Sequence, residues 1–238
     1  MKESRNTRSA AWGLERMGRK FMVDAQASHE RSQSPREEIA NSVSHGVDFL
    51  AAIAAAVVLV HSAARQDGTA RIVGASVFAS AMVLLYLTST LYHALPRNRA
   101  KRVFQVLDHT AIFLMIAGTY TPFTLGVLRG AWGWTLFGLV WGLALAGVVL
   151  TSAGGVRYPK LRMGMYLAMG WLVLIAIKPL WLRVPSWGLF WLFAGGVAYT
   201  VGVLFYAANR VRYSHFVWHM FVVAGTACHF IAVLRFAA

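Results

Sequence analysis

Seven apolar stretches of about twenty residues each divide most of this chain, at roughly 43–63, 72–94, 104–128, 131–152, 162–182, 187–208 and 214–236. Runs of that length and low charge match the hydrocarbon thickness of a bilayer. Inside hydrocarbon every backbone N–H and C=O must find its partner within the segment, which leaves the helix as the solution for a single run. The sequence therefore predicts an all-α integral membrane protein with seven transmembrane helices. Only 13% of the residues are charged, against about 25% in an ordinary soluble domain.

Residues 1–42 read differently: polar, charged and without the early hydrophobic run of a signal peptide. They are expected to form a flexible tail ahead of a transmembrane domain at 43–238. The stretch from Trp12 to Val23 has a weak apolar face, but flexibility is the preferred reading. Cys228 is the single cysteine, so no disulfide framework is expected.

The net charge of +14 invites a nucleic-acid reading, but its distribution argues for a different partner, the lipid bilayer. Assigned to alternating sides, 17 Lys/Arg fall in the amino-terminal tail and the 2–3, 4–5 and 6–7 connections, and six on the other side. Short loops rich in Lys/Arg stay in the cytoplasm. The amino terminus is thus predicted to be cytoplasmic and the carboxyl terminus outside.

Charged and polar groups at membrane depth are costly and mark function. Beyond Asp67 the chain has one acidic residue, Asp108, near the start of the third run. His93 closes the second run, and His215 and His219 open the seventh. The predicted topology brings all four to one depth on the cytoplasmic side. His215 and His219 stand at i and i+4, on one helix face about a turn apart. Ser89 and His93 have the same spacing, so the serine hydroxyl faces the same region.

Three neutral imidazoles with one open position describe a catalytic zinc site, although imidazole also suits iron, nickel and copper. A haem held by two axial histidines is disfavoured, because an i, i+4 pair cannot straddle one haem plane. Two plainer readings stand beside the metal: imidazoles bonded to one another, to serines or to water, and Asp108 as the proton-relay carboxylate of a transporter. His45 and Asp48 are expected to pair with each other, and His109 to face away from Asp108. His229, about 15 Å beyond His219 at helical rise, is too far for the same ion but could line a cavity. Pro122 and Pro179 are expected to kink their helices, and Gly142 and Gly147 to let helices pack closely.

The run from Ser89 to His93 (Ser-Thr-Leu-Tyr-His), Leu107-Asp108-His109 leading to Thr121-Pro122, and Ser214-His215-Phe-Val-Trp-His219 resemble the three signature blocks of the progestin and adipoQ receptor (PAQR) superfamily. Glu38-Ile-Ala-Asn-Ser-Val-Ser-His45-Gly resembles its bacterial branch, called hemolysin III. The resemblance implies seven helices, a cytoplasmic amino terminus, and zinc held by His93, His215 and His219 with Asp108 and Ser89 adjoining. It also implies a bacterial cytoplasmic membrane, and relatives associated with reception, lipid-amide hydrolysis or cytolysis.

Two functions are carried forward. In the first the chain is a zinc-dependent hydrolase of a membrane lipid amide, with Asp108 moving the proton and Ser89 orienting it. In the second it is a non-enzymatic sensor or receptor, transporter or cytolysin in which zinc is structural. No protein partner can be read from the sequence.

Overall fold

The computed structural model describes residues 33–66 and 68–237, so the Trp12–Val23 segment lies outside the described residues. Those described contain helices and no strand: α1 (Pro35–Ala64), α2 (Thr69–Ala94), α3 (Arg99–Pro122), α4 (Gly130–Gly154), α5 (Pro159–Gly170), α6 (Ile177–Arg183), α7 (Ser186–Ala207) and α8 (Ser214–Phe236). A π-helical segment, Phe123–Leu128, continues α3, and a 3-10 segment, Leu172–Ala176, joins α5 to α6. With those continuations the helices make seven membrane-spanning units.

α1 begins at Pro35, about two turns before the apolar run expected from 43. The reason is local. Ser34 accepts from the Glu37 N–H, the Glu37 carboxylate accepts from the Ser34 N–H, and Pro35 occupies the first helical position. That capping box starts a helix regardless of hydropathy. Asn98 likewise caps α3 by accepting from the Lys101 N–H at 2.9 Å, before the hydrophobic residues begin.

α2 and α3 form the middle of the bundle, each burying more than half of its most apolar stretch. α1 packs on α2, α2 on α3, α3 on α4 and α7 on α8; α8 also meets α1 and closes the circuit. The outward stripe of α1 (Ile39, Val43, Val47, Leu50, Val57) is exposed, as lipid contact requires. Trp132, Trp134, Trp181 and Trp187 are exposed at the 3–4 and 5–6 connections, which places an aromatic belt at the end opposite His93 and His215.

Both expected proline disturbances are present, one of them displaced. Pro122 ends the α-helical part of α3, and the π turn follows it. Proline has no N–H for the carbonyl four residues back and its ring crowds that carbonyl. In the fifth span the irregular turn lies at Leu172–Ala176, just before Pro179. Tyr120 of α3 fills the break: its hydroxyl donates toward the Met169 and Gly170 carbonyls, each at 2.8 Å, and accepts from the Val173 N–H at 3.0 Å. Non-helical backbone is tolerated at membrane depth when protein satisfies it in this way.

The glycine expectations divide. At Gly147 a Cβ would stand 2.3 Å from the Phe113 ring, so the close approach is real. Gly142 has no neighbour within 4 Å of that position and faces outward. Gly74 is a close contact between the two central helices: a Cβ there would lie 2.7 Å from Pro122 Cα and could be relieved only by moving α2 from α3. Gly74→Ala is therefore expected to cost about 1–3 kcal/mol through overpacking, read as a lowered thermal midpoint in detergent, while Gly142→Ala leaves the midpoint essentially in place.

Candidate metal centre

His93 sits in the last turn of α2; His215 and His219 sit in the first two turns of α8. Their candidate ligand nitrogens all lie within 4.8 Å of one another. The ring centroids are 5.1 Å apart for His93 and His215, 5.1 Å for His93 and His219, and 4.7 Å for His215 and His219. Among the described residues this trio is the group able to hold a metal ion.

The hydrogen bonds around the trio fix which nitrogens are free. His93 Nδ1 meets Glu38 Oε2 at 2.8 Å. A carboxylate can only accept, so Nδ1 carries a proton, and in the neutral ring Nε2 is left as a lone pair. That Nε2 is buried with no hydrogen-bond partner. An imidazole donating one nitrogen to a carboxylate and offering the other is the usual arrangement of a metal-binding histidine. Lys101 Nζ, 3.1 Å from Glu38 Oε1 and donating to Tyr92 O at 2.8 Å, holds the carboxylate from its other side. His219 Nδ1 lies 3.4 Å from Ser44 Oγ. That hydroxyl already donates to Asn41 O, so here too the imidazole is the donor.

Asp108 is buried on α3 and is not a member of the trio. Ser89, His93 and Arg162 are the polar neighbours whose electrostatics act on it. His45 Nδ1 meets Ser89 Oγ at 2.7 Å. That bond joins α1 to α2 beside Asp108. His45 is thus not paired with Asp48: its ring is held between Ser89 and a parallel stack on His219 at 3.6 Å, and Asp48 Oδ2 has no partner. His109 faces away from Asp108 as expected. It donates from Nδ1 to Gln105 O at 2.6 Å, and its Nε2 lies 3.5 Å from the Tyr206 hydroxyl.

One turn deeper lies a cavity of about 140 Å³. Ile112, four residues past Asp108, and Val222, three past His219, help to line it. None of the trio, Ser89 or Asp108 borders it, and its walls are almost wholly apolar. His229 does line it, with Nε2 donating to Leu192 O at 3.1 Å.

The family model for Haemolysin-III related proteins matches residues 33–230. The chain belongs to the haemolysin-III-related family. It is 43% identical over 199 residues to the hemolysin-3 homolog of Bacillus subtilis (strain 168), an alignment covering 84% of this chain and 93% of that protein. It is 40% identical over 203 residues to hemolysin-3 of Bacillus cereus, covering 85% and 93%. A more distant relative is the monocyte to macrophage differentiation factor of Homo sapiens, 24% identical over 210 residues and 84% of each chain. These matches agree with the resemblance to the hemolysin III branch of the PAQR superfamily, and with seven spans they make the chain a multi-pass membrane protein. No solved structure matches it at a significant level.

The sequence reading assigned no role to Glu38, and counted Arg162 among loop charges although the structure buries it to 3% exposure. Glu38 carried a usable signal: an acid near the start of the first span, on the predicted side of His93. Glu38→Ala is expected to weaken the trio's affinity for Zn²⁺ by about 10–100-fold, measured by competition with a chromophoric chelator. Glu38→Gln, which keeps an acceptor for His93 Nδ1–H, should recover part of that loss.

Proposed function

We propose that this haemolysin-III-related protein is a zinc-dependent hydrolase that cuts an amide bond of a membrane lipid. The observation that carries the reading is the buried, partnerless Nε2 of His93, facing two further imidazoles while its own Nδ1 is committed to Glu38. His93, His215 and His219 would hold the ion. Zinc bound there supplies Lewis acidity that activates water and polarises a carbonyl.

The rest is done by side chains. Asp108 takes the proton released as water attacks, holds it on a carboxylate oxygen, and returns it to the nitrogen of the departing amine. Ser89, itself fixed by His45, orients that carboxylate. The apolar cavity one turn deeper suits the acyl part of a lipid. The excess of Lys/Arg at the trio's end supports a cytoplasmic orientation for that end, and the Bacillus relatives support a bacterial cytoplasmic membrane.

A second reading has one observation in its favour: the trio does not border the cavity. In that reading zinc joins α2 to α8 in a sensor, receptor or transporter and performs no chemistry. The apolar walls of the cavity give no support to an aqueous pore, the simplest route to the lysis that the relatives' names denote.

Mass spectrometry of detergent-purified protein kept clear of chelators should find about one zinc per chain in the wild type, with loss in His93→Ala, His215→Ala and His219→Ala. Protein without metal removes the hydrolase. Asp108→Asn is expected to keep most of the zinc and to lower turnover of lipid amides by roughly 10²–10⁴-fold, the usual contribution of general acid–base catalysis. Full turnover in that variant would remove Asp108 from the chemistry.

A further inference from the structure

α3 is the most enclosed helix of the bundle, yet the outer side of its first turns is bare. At 100° per residue, Lys101 and Asp108 lie on one side of α3. Arg99, Arg102, Val103 and Val106 lie on the other, with Leu107 at its margin. The inner side is occupied: Lys101 is paired with Glu38 and Asp108 is buried with Ser89. On the outer side Arg99 and Arg102 are exposed, as are Val103 at 51% and Leu107 at 41%. Together with Val106 these residues line a surface groove of about 390 Å³.

Charge and hydropathy are ordered along this groove. The two guanidinium groups stand at the helix start, and the apolar residues run about 12 Å further along the axis at helical rise. Neither arginine has a carboxylate partner among the described residues. Glu38 is engaged by His93 and Lys101, and Asp108, the one acid beyond Asp67, sits on the opposite side of the helix. Guanidinium groups match the geometry of phosphate oxygens, while an exposed apolar strip at membrane depth is covered by acyl chains. A headgroup cation, as in a zwitterionic lipid, would meet the arginines unfavourably.

We propose that the outer face of α3 is a binding site for an anionic phospholipid. Its phosphodiester sits on Arg99 and Arg102, and one acyl chain lies along Val103, Val106 and Leu107. The site is independent of any metal in the trio and of any hydrolytic activity, because its residues point away from both.

The test uses the full chain in non-ionic detergent, offered equimolar phosphatidylglycerol and phosphatidylcholine with identical acyl chains, and reads retained lipid by native mass spectrometry. The wild type should retain phosphatidylglycerol roughly tenfold or more over phosphatidylcholine, as expected for two arginines at an anionic surface. Arg99→Gln/Arg102→Gln should bring the ratio close to one. Lys160→Gln/Arg210→Gln removes two exposed cations from the same end and should leave the ratio high. No preference in the wild type overturns the proposal. So does an equal loss in both double variants, which would mean diffuse attraction and no site. Competition by glycerophosphoglycerol, which has no acyl chain, at concentrations equal to the lipid also overturns it, by assigning the contact to the headgroup alone. Unchanged thermal midpoints in both variants show that the comparison is made on folded protein.

Discussion

Glu38 is the point at which the geometry at the trio's end of the bundle is decided. Its carboxylate belongs to α1, accepts from His93 on α2 and pairs with Lys101 on α3, so three successive helices share one anion. A carboxylate at membrane depth is expensive alone and much less so between an imidazole N–H and an ammonium. Once it is fixed, the tautomer of His93 follows, and with it the direction of the free lone pair. The neighbouring residue serves the same end of the bundle. Glu37 caps its own helix and accepts from the Tyr213 N–H at 2.8 Å, where the chain turns into α8 with a left-handed φ of 60° at Tyr213. Two adjacent acids on α1 thus set the positions of both helices that carry the imidazoles.

The deeper half of the molecule solves a different problem. Pro122 and Pro179 each remove a backbone donor where no water can replace it. Hydroxyl groups on α3 add polar contacts beside these sites: Thr119 donates to Met115 O, Thr121 to Ala117 O, and Tyr120 crosses to the broken fifth span. The irregular span and the kinked helix therefore meet at a polar seam, and the apolar cavity lies beside it, lined in part by Thr119, Tyr120, Gly170 and Trp171. Looser packing there follows from the break, since a 3-10 turn presents its side chains at a different period from the helices around it.

The seven spans were legible because hydrocarbon imposes one rule on all of them, and length and hydropathy express that rule directly. Their ends were less so: Ser34, Glu37 and Asn98 extend helices into polar sequence by capping, which hydropathy does not see. The depth shared by His93, Asp108, His215 and His219 could be read from topology alone. What could not be read was partnership. His45 and Asp48 are near in sequence, but the His45 ring is claimed by Ser89 and His219 from other helices. Gly142 and Gly147 look alike in sequence and differ because only one faces Phe113. Arg162 looked like a loop charge because hydropathy cannot tell that the start of α5 tucks it inward. In each case the missing information is which helix stands opposite, a property of pairs of segments far apart in the chain.

The circuit is closed by α8 meeting α1, the last helix in sequence against the first. During synthesis α1 is in the bilayer long before its neighbour exists. The Glu37 contact with the Tyr213 N–H and the stack of His45 on His219 therefore wait through the manufacture of five further spans. His93 can meet Glu38 once α2 is in place, but the trio has no other member until α8 is made. The trio is completed when the final twenty-odd residues insert, and a chain cut short anywhere before Ser214 keeps one of its three imidazoles.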